Sequence, residues 1–549
     1  MSMHAPKARP ATAAAPPARA GLHPNAQTPR VGGPGLHPNA QTPRVGGPGL
    51  HPNAQTPRVG GPGLAREMGL LGLTATGICA MVGAAVNVIP FMIQRQVPGI
   101  GANVLPAYLL AAVPAILAGL AYAMLASAMP RAGGSYVFAS RALSPYLGFV
   151  ASFSQWFSLS IVMGVVSFLI TPFLRDISLA LQWHDMAATL EQGGVRLAIA
   201  LGVLWAATGV NLLGIKAYER LMVPLMFLTF ALGAVVIVAG FSYDHGDFFT
   251  ALSAAGGPAV VLGPVTAPLS MTLLPASVLL FASFIGFDSI AQAGGEARRP
   301  GRDLPLAIFI SVGVTAIFYF LFTAAVYHTV PWQYVATEAV TRDVTAPGLL
   351  GVVLPPFWTV VIVSSASVAL IKDLPAMLLG VSRLMFAWAE DGIFPAFVAA
   401  VHPRFRTPHV AILLSTATAT IGVVGCHLAG DWFLGVDILV TSMLINFLLM
   451  ALSVLALPAR NPALAAAITV LPSTAQRVPV AVAGACVLAL FLAVHTWKDL
   501  TGPAAWYFKS TPVWAIVMAL ASVVYVREMR RMRGQGVDVA ARFATLPPE

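Results

Sequence analysis

Lys372 and Asp373 stand side by side about fifteen residues into the apolar stretch 357–389, and Asp288 lies within another, 269–291. On insertion scales a charge at the middle of a bilayer costs about 2.5–3.5 kcal/mol, so such residues are rarely accidental. They serve as an internal ion pair, as a lock between helices, or in handling ions and protons, and the expectation for Lys372 is the last of these. Neighbours at i and i+1 do not face each other on a helix, so Lys372 and Asp373 are expected to have separate partners. Gly83 and Gly286 are chemical residues of a second kind, because each interrupts an apolar stretch near its middle. Backbone released there must line a cavity, since lipid satisfies neither N–H nor C=O. Freed N–H groups at the start of a half-helix attract a carboxylate, and freed carbonyls attract an amine or a cation.

These residues need a bilayer around them, and the composition calls for one. Of 549 residues, 57% are apolar and 9% charged, with a mean hydropathy of +0.80. A water-soluble chain carries roughly a quarter charged residues. About 20 mostly apolar residues cross a membrane, and twelve stretches of that kind recur: 69–94, 103–128, 145–174, 196–213, 220–242, 269–291, 304–330, 357–389, 407–429, 432–458, 478–497 and 510–528. The expected class is therefore all-α and polytopic.

The formal net charge of +10 is not a nucleic-acid footprint, because its placement alternates. Arg131, Arg141, Lys216, Arg220, Arg298, Arg299, Arg302, Arg404, Arg406, Arg460 and Arg477 fall in every second loop, and Arg527 to Arg533 in the C-terminal tail. The intervening loops hold acids such as Asp176, Asp185, Glu191, Asp244, Asp247 and Glu338. By the positive-inside rule both termini are expected in the cytoplasm of a bacterial-type inner membrane. Glu296, Arg298 and Arg299 read most simply as that loop chemistry together with helix termination. His402 and His409 lack the spacing of a metal pair, and His328 and Trp332 suit an interfacial belt. Cys79, Cys426 and Cys486 lie apart in apolar runs, which suits small buried hydrophobes rather than a disulfide or a zinc site.

Residues 21–62 are three copies of a 14-residue unit that begins Gly-Leu-His-Pro-Asn-Ala-Gln-Thr-Pro-Arg. Each unit is dense in Pro and Gly and has too few large apolar residues to bury a core. Residues 1–64 are expected to be disordered, with His23, His37 and His51 at best weak metal ligands. No apolar run follows the basic start, so a signal peptide is not expected.

Three segments carry detail that hydropathy does not require. Met129-Pro130-Arg131-Ala132-Gly133-Gly134-Ser135-Tyr136 is followed by Ala139-Ser140-Arg141-Ala142-Leu143. Phe281-Ala282-Ser283-Phe284-Ile285-Gly286-Phe287-Asp288 runs on to Gly295-Glu296-Ala297-Arg298-Arg299-Pro300 and Arg302-Asp303-Leu304-Pro305. Gly380-Val381-Ser382-Arg383 precedes Phe386-Ala387 and Glu390-Asp391-Gly392-Ile393-Phe394-Pro395. In order and spacing these resemble the cytoplasmic turn, the sixth helix with its following loop, and the end of the eighth helix in amino acid–polyamine–organocation transporters.

That resemblance implies two inverted repeats of five helices, 65–242 and 269–458, with two further helices over 478–528 and a C-terminal tail over 529–549. It implies a substrate site at the broken first and sixth helices, from Gly83, Ala84, Ala85, Phe281, Ser283, Phe284, Ile285 and Gly286. The chain departs from the family there: Gly83-Ala84-Ala85 stands where Gly-Ser/Ala-Gly is usual. Some relatives carry a lysine on helix five whose amine replaces a sodium ion between helices one and eight. The matching position here is Thr229, whereas Lys372 on helix eight stands where Ser or Thr is usual. The resemblance thus implies a swap, with the ammonium hung from the opposite wall. A lysine there, partly desolvated, is able to release a proton during the cycle. Lys372, Asp288, Thr229 and Asp373 are accordingly the expected coupling residues.

The function implied is secondary transport of an amino acid or related amine, coupled to protons or by exchange, independent of sodium and without a cofactor. No Walker lysine motif accompanies it, which disfavours ATP-driven transport. A non-transporting receptor derived from such a permease is the alternative, and its support is the unusual N-terminal tail. A membrane-embedded enzyme would need convergent His, Glu or Ser groups, which the sequence does not cluster.

Overall fold

Residues 64–256, 267–341, 344–429, 433–503 and 505–547 are described by the structure, a computed structural model. The expectations for residues 1–63, including His23, His37 and His51, fall outside them. Twelve helical segments are long and apolar enough to cross a membrane: Leu70–Gln96, Gly101–Ala128, Pro145–Leu179, Gly193–Leu212, Ile215–Ser242, Leu269–Gln292, Pro300–Thr329, Pro356–Glu390, His409–Leu428, Leu434–Arg460, Thr474–Thr501 and Ser510–Gly534. They are called here the first to twelfth spans. Several run past their expected ends: the fifth begins at Ile215 and the third reaches Leu179. Hydropathy registers only the part of a helix that lipid touches, whereas the hydrogen-bond ladder continues into polar residues. Among the described residues there is no β-strand, only two isolated bridges, Met68 with Ala297 and Ala132 with Ala293.

Burial separates an inner from an outer set of spans. The apolar window of the first span is 88% buried, against 22% for the twelfth. The third and eighth spans are likewise largely buried and lie against each other, while the first packs on the fifth, seventh and eighth. The fourth, fifth, eleventh and twelfth face outward. Their outer surfaces are apolar, with Phe227, Leu490, Trp497 and Leu520 at least half exposed except where packing intervenes. Water would not tolerate such a belt, and hydrocarbon does. The chain is a multi-pass membrane protein.

Two inner spans are broken, the first and the sixth. The first is a helix over Leu70–Met81 and another over Ala84–Gln96, joined through Val82 and Gly83 in non-helical conformations. The sixth runs as a helix over Leu269–Leu280 and a tight turn over Phe281–Phe284, then an extended Ile285, Gly286 and a short helix over Asp288–Gln292. Gly286 has φ +141°, a region that side chains resist. A Cβ there would also stand 2.5 Å from the Ala80 carbonyl oxygen. The two breaks therefore touch backbone to backbone.

Candidate functional site

A helix that stops inside a membrane leaves carbonyls without partners. At the first-span break the carbonyls of Cys79, Met81, Val82 and Gly83 are met by side chains. Tyr319 of the seventh span donates its hydroxyl to the Met81 carbonyl. Asn87, one turn further on, donates to the Gly83 carbonyl at 3.2 Å. Lys372 of the eighth span donates its ammonium to the Val82 carbonyl and, at 3.3 Å, to that of Cys79. The ammonium is fully buried, so these oxygens replace the water it has lost.

Asp373 lies on the other side of the same break. Its Oδ1 is 3.4 Å from the Lys372 Nζ. Side by side on one helix the two residues are expected to have separate partners, yet they also approach each other, because both side chains reach the first-span break. A Cβ on Gly83 would fall 1.5 Å from the Asp373 Oδ2. With φ −136°, Gly83 needs no positive φ. Its missing side chain makes room for a carboxylate at the start of the helix Ala84–Gln96, the end at which the helix dipole favours negative charge.

Next to the break is a cavity walled by five spans. Ala80, Met81, Ala85, Val88 and Ile89 come from the first, Val162, Val165, Val166 and Leu169 from the third, and Ala282 and Ile285 from the sixth. Asp373 and Met377 of the eighth and Val436 and Leu439 of the tenth complete it. Of the residues expected to bind substrate, Ala85 and Ile285 line this cavity. Gly83 and Gly286 lie behind it at the breaks. Phe281 packs edge-on against Phe447 and Phe491, and Phe284 against Tyr108 and Tyr319. Ser283 is buried beside the Tyr108 hydroxyl. The Ala84 side chain is outside the described set. Thr229 is buried on the fifth span, its hydroxyl donating to the Leu225 carbonyl of its own helix at 2.8 Å.

Asp288 caps the sixth-span break. Its Oδ1 accepts the Gly286 N–H at 3.1 Å and its Oδ2 accepts the Gln155 amide of the third span. The Gln155 oxygen in turn accepts from Ser135 at 2.6 Å and from Gln292 at 3.0 Å, all buried. Ser135 and Gln292 flank the contact of Gly133 with the Gln292 carbonyl, so the turn after the second span is stitched to the sixth.

The three motif segments meet at one end of the bundle. Arg383 forks onto Glu296 at 3.0 and 2.5 Å, and Arg141 onto Asp391 at 2.5 and 3.0 Å. Both pairs are buried. The Glu296 carbonyl accepts the Met68 N–H, and the Met68 carbonyl the Arg298 N–H, each at 2.9 Å. Glu296 is thus an internal counter-charge, not only part of a basic loop. The signal was there in part: an acid and an arginine, each inside a matched motif. Tyr319 and Asn87 were missed because a lone tyrosine or asparagine in an apolar stretch has many uses.

A cavity between two broken helices, with a cation on the carbonyls of one break, is the arrangement of a small-molecule transporter. A family model described as amino acid permease matches residues 68–522. The chain belongs to that family, as its motifs implied. It is 29% identical to an uncharacterized transporter of Mycobacterium tuberculosis over 64% of this chain and 72% of the relative. It is 25% identical to a branched-chain amino acid permease of Bacillus subtilis over 65% of this chain and 75% of that one. It is 24% identical to a low-affinity putrescine importer of Escherichia coli over 58% of this chain and 63% of that one.

Proposed function

We propose that this transporter carries an amino acid or related amine across a cytoplasmic membrane by alternating access, with the Lys372 ammonium standing in for a coupling sodium ion. The observation that carries this reading is the seat of the ammonium on the Cys79 and Val82 carbonyls. Unwound carbonyls of this kind coordinate the cation in broken-helix transporters. An ammonium already there makes a bound sodium ion redundant, and its proton is the mobile charge. Loss of that proton removes the charge and weakens the tie between the first and eighth spans, and its return restores it, so substrate movement and proton movement share one element.

Inverted repeats over 65–242 and 269–458 and cytoplasmic termini belong to the same reading. The basic residues near the Glu296 end of the bundle support that orientation. Relatives named for amino acid and for putrescine transport support the substrate range.

Uptake into proteoliposomes tests the proposal. The unmodified protein is expected to accumulate substrate without sodium and to respond to a pH gradient. Lys372→Ala is expected to abolish the proton response or transport while leaving inserted, folded protein, and adding Thr229→Lys to restore part of the activity from the opposite wall. Sodium-stimulated uptake by the unmodified protein would overturn the swap. Ligand binding without accumulation would instead favour the receptor.

A further inference from the structure

We infer that the substrate is polar at one end only, an amino acid or amine whose body is uncharged and aliphatic and packs against the third span. The inference rests on the transporter reading above and narrows its substrate. A substrate's polar end belongs at the breaks, where backbone N–H and C=O groups leave their helices. The cavity meets both breaks, at Met81 of the first span and Ile285 of the sixth. Away from them the wall is hydrocarbon. Val162, Val165, Val166 and Leu169 line it at the spacing of one helix face, and Val436 and Leu439 line it from the tenth span. Valine on a helix holds essentially one rotamer, so this wall reads shape as well as polarity.

Neither phenylalanine of the sixth-span motif lines the cavity, because Phe281 is packed against Phe447 and Phe491, and Phe284 against Tyr108 and Tyr319. Among the described residues the lining holds no aromatic ring, so a guanidinium finds no face to stack on. Asp373 is the only charged residue in that lining, and the Lys372 ammonium 3.4 Å from its Oδ1 balances it. With the lysine protonated, the pair has no net charge to offer a second cation, and an anionic side chain meets the carboxylate. Arg175, Glu191 and Arg196 line a neighbouring cavity, which shares only Val88 and Leu169 with this one. A charged side chain held against the third span would thus be buried at a cost, whereas an apolar one gains by leaving water. Diamines and amino acids with charged side chains are disfavoured together.

Binding and uptake by the full-length purified protein, with L-leucine, L-arginine, L-glutamate and putrescine as probes, test this. Leucine is expected to bind, to raise thermal stability and to accumulate in proteoliposomes. The three charged probes should each bind at least about tenfold more weakly. Val166→Ala trims the wall and should weaken leucine binding roughly fivefold while leaving arginine binding unchanged. Leucine affinity that does not move in that variant would take the third span out of the site. Arginine, glutamate or putrescine binding as tightly as leucine, or no leucine binding by the unmodified protein, overturns the inference, and neither result depends on the variant folding. Arginine or putrescine accumulated in proteoliposomes while leucine is not would sink the aliphatic body and leave the transporter. Leucine bound but never accumulated would do the reverse.

Discussion

Gly83 and Gly286 look equivalent as letters, yet they are glycine for different reasons. Gly83 leaves room for the Asp373 carboxylate, and Gly286 for the Ala80 carbonyl while holding φ +141°. A methyl on Gly83 pushes a side chain, whereas a methyl on Gly286 pushes backbone. Gly83→Ala is therefore expected to act on ligand binding. Overpacking of this kind costs roughly 1–3 kcal/mol, or about 5- to 150-fold in affinity. Gly286→Ala is expected to act on the fold instead, through that overpacking and a strained φ worth roughly 1–3 kcal/mol more. Thermal unfolding of the two variants beside a ligand titration separates these outcomes. A Gly286→Ala protein of unchanged stability would show that the two breaks do not press on each other. Gly286→Leu, by the same geometry, collides with the first span rather than filling the cavity.

Between elements, the forked pairs Arg383–Glu296 and Arg141–Asp391 join the eighth span to the loop after the sixth and to the short helix Gly134–Ala142. Each charge is buried, so what matters is the partner left behind when one is removed. Glu296→Gln leaves the Arg383 guanidinium without its counter-charge and is expected to cost about 3–5 kcal/mol of stability. The double change Glu296→Met with Arg383→Leu removes both charges and should cost clearly less. Detergent-solubilised thermal melts of the wild type, of Glu296→Met and Arg383→Leu singly, and of the double variant complete the cycle. Additive losses would mean that the pair is not an energetic unit. These pairs are made by the residues that carry the family resemblance, so the motifs mark the joints of the bundle as much as its binding site. That is why the resemblance located the breaks while the cavity wall came largely from other residues, such as Val162 and Leu439.

At the scale of the molecule, the described bundle is closed by its own contacts, with Arg141 reaching the Thr545 carbonyl at 3.1 Å and Arg406 the Leu64 carbonyl at 3.4 Å. The repeats over 21–62 have no composition with which to add a core. Deletion of the chain up to Leu64 is accordingly expected to leave uptake within about twofold of the full protein, since segments that bury nothing are the ones tolerant of removal. Uptake lost from a truncated protein that still inserts correctly would make the tail a working part.

The amino-acid sequence by itself determined the solvent, the twelve spans, the family and the two breaks. Each of these is written in a local or periodic signal: long apolar runs, alternating loop charge, motifs of fixed spacing, and a glycine in the middle of a stretch. It also showed that Lys372 and Asp373 had to matter, because a buried charge is costly wherever it points. Only the tertiary structure decided what they touch. The Lys372 contacts to Cys79 and Val82 span about 290 residues of chain, and that of Asp373 to Gly83 is equally remote. No periodicity encodes such a distance. The pairing of Glu296 with Arg383 was hidden in the same way, because a charge next to a basic loop reads as surface until packing buries it. Which face of each helix turns inward, and so which carboxylate reaches which break, is settled by side chains packing between spans rather than by any span alone.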